Sequence, residues 1–308
     1  MARIIFSRLL QGLLTLFVLV TITFFLVRMM PGSPYTDEKA LPKHILEQLQ
    51  SQMGLNKPLP VQYGIYFKNL IVHQEMGPLI RKDGVYVGEI IAEAFPVSAL
   101  LGVFSIGIAL IVGIPAGIIA AVKKNGPLDY ACLAAAMTGI CLPSFVIGPL
   151  LAVFAGLGLK SLNVAGWNSP ADWIMPALTL GMVNAAYLAR LTRGGMLDVL
   201  NQDYIRTAKA KGVPGWRIVI KHALRGGLIP AIAYVGPAFA GMISGSFVIE
   251  TIFQVPGMGQ HFVNATTDRE YFLIQGLVFV VVVSIGLASL LLDLTYPLLD
   301  PRITYRRA

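Results

Sequence analysis

Four histidines, two cysteines and a thin set of carboxylates are the residues through which this chain could do chemistry. His44, His73, His222 and His261 are scattered along the sequence, and their spacing makes no metal set. Cys132 and Cys141 lie nine positions apart in one apolar segment. That is about 13–14 Å along a helix, too far for them to pair with each other, so they read as small buried apolar residues. No CxxC, HExxH or GxSxG occurs, and the dipeptide Gly-Lys that closes a phosphate-binding loop is absent altogether. Glu250 and Asp293 end long apolar runs. Ionisable groups at membrane depth are expensive and usually functional. At the ends of segments, however, water or headgroups solvate them, so structural roles are expected: Glu250 fixing an outer loop, Asp293 an inner tail. A Glu250→Gln substitution is then expected to leave function largely intact. The reading is of a chain with no catalytic residues, no metal and no means of hydrolysing ATP, whose energy must come from another chain.

One polar segment stands out. Between Arg190 and Arg225 lie eight Lys and Arg residues: Arg190, Arg193, Arg206, Lys209, Lys211, Arg217, Lys221 and Arg225. The run from Asp203 to Gly212 predicts a short helix stopped by glycine, with cations in its last turn to complement the helix dipole. Its apolar positions, Ile205 and Ala208, are too few for a core helix. With little to bury, it reads as built to be covered by something else.

The rest of the chain must position these residues, and it is strongly apolar. Of 308 residues 56% are hydrophobic and 13% charged, against roughly a quarter charged in soluble domains. Six stretches approach the roughly 20 apolar residues a crossing needs: Leu9–Val27, Val97–Val122, Tyr130–Leu159, Trp173–Ala189, Gly226–Ile249 and Tyr271–Leu292. The first, 19 residues long, exceeds the 7–15 of a signal-peptide core and is expected to be a retained span. The fourth is short and interrupted by Pro176 and Asn184. Pro143 and Pro149 predict a kink or tilt in the third. With the amino terminus inside, 15 of the 24 Lys and Arg fall on the cytoplasmic side, as the positive-inside rule requires. The formal net charge of +8 is therefore a topology signal, and no nucleic-acid partner is implied. The expected organisation is a first helix within residues 1–30, an external segment over 31–96, a core over 97–298 containing the cytoplasmic loop 190–228, and a cytoplasmic tail over 299–308. Residues after Pro42 (Ile45, Leu46, Leu49, Met53) suggest a short amphipathic helix in the external segment. Gly113 with Gly117, and Gly241 with Gly245, match the spacing that lets membrane helices approach closely.

Five stretches then carry a family likeness. Tyr204-Ile-Arg-Thr-Ala-Lys-Ala-Lys-Gly212, with His222-Ala-Leu-Arg225 and Leu228-Ile-Pro230, resembles the cytoplasmic coupling loop of ABC-importer permeases, in particular the dipeptide/oligopeptide/nickel branch. Arg28-Met-Met-Pro-Gly-Ser-Pro34, Gly54-Leu-Asn-Lys-Pro-Leu-Pro-Val-Gln-Tyr63, Ile249-Glu-Thr-Ile-Phe-Gln-Val-Pro-Gly-Met-Gly259 and Asp300-Pro-Arg302 resemble that branch in the same order, most closely the B-type subunits of oligopeptide importers. The general coupling motif begins Glu-Ala-Ala; here Arg206, Thr207 and Ala208 stand in those places, Gly212 is kept, and Leu224-Arg225 replaces the closing Leu-Pro. The resemblance implies an all-α integral membrane fold of six transmembrane helices with type I permease architecture and an external segment between the first two helices. It implies a multi-pass protein of a bacterial inner membrane. Its expected partners are a second homologous permease, two ATP-hydrolysing subunits that bind ATP and Mg, an external substrate-binding protein, and lipid. Tyr204, Arg206, Thr207, Ala208, Lys209, Lys211, Gly212, His222, Leu224 and Arg225 are then expected to couple this chain to the ATPases. Glu250, Pro256, Gly257 and Gly259 would form a structural loop at the exit of the fifth helix. Peptides are the expected cargo, with nickel, glutathione or another small solute as the alternative. An ion-coupled secondary transporter would show internal repeats or charged, broken helices at mid-membrane, and an intramembrane enzyme a catalytic dyad; neither pattern is visible.

Overall fold

The computed structural model describes residues 2–31, 51, 53–81, 84–158, 165–243 and 245–299. The amphipathic stretch after Pro42, the tail beyond Leu299 and the side chain of Asp293 lie outside the description. Twelve helices are named here: α1 (Ala2–Met29), α2 (Leu59–Lys68), α3 (Val87–Val122), α4 (Pro127–Cys141), α5 (Ser144–Gly158), α6 (Ile174–Leu200), α7 (Asp203–Ala210), α8 (Gly215–Gly227), α9 (Ile229–Ile243), α10 (Phe247–Ile252), α11 (Met258–Asp268) and α12 (Tyr271–Leu299). Four helices are long and apolar enough to cross a membrane, and two bent pairs, α4 with α5 and α8 with α9, bring the number to six.

Two expected spans are broken. The third turns by 110° between α4 and α5. Pro143 lacks the amide hydrogen that would continue the helix, and its ring drives Leu142 into extended backbone, φ −84° and ψ 123°. The fifth ends at Ile243 rather than Ile249, because Gly245 takes a left-handed φ of +95° and α10 starts afresh at Phe247. The second span is longer than expected. α3 begins at Val87, so residues 87–96 of the expected external segment belong to a 36-residue helix.

The centre of the molecule is the crossing of α3 and α6. A methyl group added at Gly113 would stand 2.6 Å from the Ala185 carbonyl oxygen. One at Gly117 would stand 2.5 Å from that of Ala189, and one at Gly181 2.8 Å from that of Ser105. Backbones therefore touch along several turns, which is how apolar helices gain contact where no hydrophobic driving force separates them from lipid. Around one end Val87, Ile91, Met258, Ile274 and Leu277 form a buried cluster. Around the other, Ala121, Met196, Ile205, Ile218 and Ala223 form a second. α1 packs through Phe24 against Tyr63 and Tyr66 of α2, with ring centroids 5.2 and 5.8 Å apart. Most of its other large apolar residues, such as Leu13 and Phe17, are exposed and suited to lipid.

Candidate functional site

The predicted short helix exists, as α7, but it is not waiting to be buried. Ile205 is fully enclosed and Ala208 nearly so, both against Ala121 of α3, Met196 of α6 and Ile218 and Ala223 of α8. Two apolar residues suffice because three other helix ends supply the opposite wall. Ala208 is therefore an anchor, which corrects its expected place among the contact residues. The same helix turns Tyr204, Arg206, Thr207 and Lys209 outward, and Lys211 and Gly212 follow on the exposed side.

The end of α7 is a complete Schellman motif. Val213 N–H donates to the Ala208 carbonyl at 3.2 Å, Gly212 N–H to that of Lys209 at 3.0 Å, and Gly212 takes φ +74°. Val213 packs into the same cluster as Ala208. Behind α7, α8 widens into a π-helical stretch, Ile218–Ala223, an irregularity often found at functional positions. His222 lies in it, half-buried, and its carbonyl accepts from the Tyr204 hydroxyl at 3.4 Å. Leu224 is half-buried and Arg225 exposed. A backbone crossing holds the loop to the core: a side chain at Gly195 of α6 would overlap the Gly227 carbonyl.

Two members of this surface were missed in the sequence. Trp216 and Ile220 are each 63% exposed, beside Tyr204 at 50%, and the Arg217 guanidinium stands 5.2 Å from the Trp216 ring centroid. An exposed tryptophan beside cations is a typical anchor for a protein partner. Its signal was the bulky residue directly after Pro214-Gly215, in a loop with nothing of its own to bury.

At the far end of the molecule Glu250 is wholly buried, not solvated as its position at a segment end suggested. Its Oε1 accepts from the Ser98 hydroxyl at 2.9 Å and Ser246 N–H at 3.2 Å; its Oε2 accepts from Gly259 N–H at 2.7 Å and Gln260 N–H at 3.2 Å. Ser98 in turn accepts from Met258 N–H at 2.8 Å, which commits its own proton to Glu250. Gly259 has no room for a side chain, since a methyl group would stand 2.8 Å from Phe247 N, and one at Gly257 would overlap Glu250. Pro256, exposed between them, continues the same loop. The expected glycine pair Gly241–Gly245 is corrected by this geometry. Gly245 lies beyond the end of α9 and abuts Gly259 and Glu250, while a methyl group at Gly241 would meet open space.

Between these ends, α3, α4, α5 and α6 border a groove of about 490 Å³, lined by uncharged, mostly apolar residues that include Gly113, Ala116, Thr138, Gly139 and Met182. Among the described residues no cluster of His, Cys, Asp or Glu could hold a metal. The arrangement is an anchored helix with an exposed aromatic and cationic face, joined to helices that wall a groove.

The comparisons give this geometry its class. Residues 113–305 match the family of binding-protein-dependent transport system inner membrane components, and residues 1–101 match the N-terminal part of such membrane components. The chain belongs to that family. It is 43% identical over 307 residues to the oligopeptide transport system permease protein OppB of Salmonella typhimurium strain LT2, covering 99% of this chain and 100% of the relative. It is 41% identical over 303 residues to the dipeptide transport system permease protein DppB of Bacillus subtilis strain 168, covering 98% of each. Among solved structures, an inward-facing MetNI methionine ABC transporter aligns with a TM-score of 0.58 at 16% identity, over 69% of this chain and 97% of that one. The fold is thus the type I permease fold expected from the sequence.

Proposed function

We propose that this chain is the membrane permease of an ABC importer for oligopeptides or dipeptides, and that it receives its driving force through α7. The carrying observation is the division of α7 into two faces. Ile205 and Ala208 lock it to the ends of α3, α6 and α8, and Tyr204, Arg206, Lys209, Lys211 and the neighbouring Trp216 stand exposed. A helix anchored in this way transmits a push to the bundle rather than slipping, and its free face suits a partner with an acidic, apolar-lined groove. The partner is an ATPase subunit carrying ATP and Mg; this chain catalyses nothing. A second permease completes the passage, a binding protein outside delivers cargo, and both termini lie in the cytoplasm. Peptides are supported as cargo by the full-length relatives named for them.

The test is the assembled transporter in proteoliposomes with its ATPases and binding protein. Trp216→Ala should lower peptide uptake about tenfold or more, the loss expected on truncating an interface anchor, and Gly212→Leu should do likewise by putting a bulky side chain at the left-handed end of α7. Hydrolysis should also lose its stimulation by the binding protein, with the chain still inserted. Parent-like uptake in both variants rejects the reading.

A further inference from the structure

We propose that the ion pair between Arg193 and Asp129 is the link by which the α7 coupling helix carries α4, and with it the bent α4–α5 wall of the groove. The inference rests on the coupling role of α7 argued above and extends it to two residues outside α7.

α6 runs into α7 with only Asn201 and Gln202 between them. The join is stiff: Gln202 N–H donates to the Val199 carbonyl at 3.0 Å, Ile205 N–H to Gln202 at 3.1 Å and Arg206 N–H to Gln202 at 3.2 Å. Arg193 lies seven residues before the end of α6, about 10 Å up the same rod. Its Nε donates to Asp129 Oδ1 at 2.6 Å and its Nη2 to Oδ2 at 2.8 Å. Asp129 is 1% exposed, in the first turn of α4, and Oδ2 also accepts from Asn125 N–H at 2.9 Å. Three N–H donors hold the carboxylate, and the two-pronged geometry fixes orientation as well as distance.

Elsewhere the α4–α6 face carries several small side chains. A methyl group at Gly139 would meet the Ala186 methyl at 3.0 Å, and Ala136 and Ala189 line the same seam. Small side chains interlock weakly, so such a seam resists sliding poorly. The fork prevents slip between α6 and α4. α4 then passes through Leu142 and Pro143 into α5, which bends by 110° and walls the groove. A shift imposed on α7 thus reaches α4 and α5 through Arg193 and Asp129. These are positioning residues, outside the exposed face of α7 proposed for the ATPase.

The experiment uses the same assembled transporter. Asp129→Asn and Arg193→Gln each break the fork; the first leaves a partly exposed guanidinium and the second a buried carboxylate without its counter-charge. The double variant Asp129→Asn/Arg193→Met leaves no unpaired charge, a change that is often neutral or better for stability. The link predicts that both single variants lose about tenfold or more of uptake while hydrolysis stays within about twofold of the parent, and that the double variant recovers thermal stability but not uptake. Recovery of uptake by the double variant overturns the link and leaves a structural brace. So does uptake that falls only in proportion to the amount of assembled complex. Gly212→Leu, run alongside, separates the failures. If it and Trp216→Ala both leave uptake unchanged, the coupling role of α7 has failed. If it uncouples while the Arg193 and Asp129 variants do not, this link alone has failed.

Discussion

At Glu250 every hydrogen bond described to the carboxylate comes from a donor: three backbone N–H groups and a Ser98 hydroxyl whose own oxygen is already engaged by Met258. A glutamine has one oxygen and one NH2. Whichever way its amide turns, the NH2 faces a buried N–H. The expectation that Glu250→Gln leaves function largely intact concerns transport; the structure adds a cost in stability. The variant should lose about 1–3 kcal/mol, the cost of leaving buried donors unpaired, read as a lower unfolding temperature of the purified complex; an unchanged temperature would refute this account. Tyr66 presents the opposite case. Its ring is buried among Phe24, Tyr63 and Phe67, and its hydroxyl finds no partner among the described residues. Burial pushes the phenol from 10.0 up to about 12, and the Arg28 charge only partly opposes this. Tyr66→Phe removes an unpaired polar atom and should be neutral or stabilising by about 1 kcal/mol. Because the folded-state value is the raised one, the unfolded chain ionises first. Stability is then lost as pH rises from about 10 towards 12, and the Phe variant should lose less of it over that window.

The glycines of α3 and α9 set a contrast at the scale of helices. Gly117 faces the Ala189 carbonyl and Thr192 at contact distance, and Gly241 faces open space. Gly117→Val should force α3 and α6 apart and cost about 1–3 kcal/mol or more, the penalty of an overpacked core; Gly241→Ala should be nearly silent in folding. If Gly241→Ala abolishes uptake in a chain that still folds, that face of α9 meets a second permease. The elements differ in how openly the sequence announces them. The cores of the spans were legible, because long apolar runs have one solvent to suit them. So was Gly212, because a cationic helix end followed by glycine is a local signal. The 110° turn at Pro143 exceeded the expected kink, since the angle depends on what α5 packs against. Ile205 and Ala208 looked unpartnered because their partners, Ala121, Met196 and Ala223, are spread over about a hundred residues of sequence. The pairing of Arg193 with Asp129, 64 positions apart, has no local pattern at all. Nor does Glu270, which receives Ile80 N–H and Arg81 N–H at 2.7 Å across about 190 positions and ties residues 78–81 to the start of α12.

The length of α3 fixes the sidedness of the whole molecule. Near its start Ala94 packs in one cluster with Met258 and Ala265 of α11, and near its end Ala121 packs with Ile205 of α7. Ala94 and Ala121 are 27 residues apart, about 40 Å along a helix, more than the roughly 30 Å of hydrocarbon in a bilayer. α7 and α11 therefore face opposite aqueous phases, whichever way the chain is inserted. Charge then supports the direction proposed above. The α7 end carries Lys123 and Lys124 as well as the basic loop, and short basic loops stay in the cytoplasm. On the proposed function, the α11 end, with Glu250 and Glu270 holding its loops together, is the one that meets an external binding protein. The corresponding prediction uses a chain with Cys132 and Cys141 replaced by alanine, carrying a single new cysteine in α7 or in α11. Lys209 and Asn264 are both exposed, so an impermeant thiol reagent can reach either residue from its own side. In intact cells Asn264→Cys should label and Lys209→Cys should not, until the membrane is permeabilised. Labelling of Lys209→Cys from outside would put the cationic face of α7 where no ATPase could reach it, and the proposed drive through α7 would fall with it.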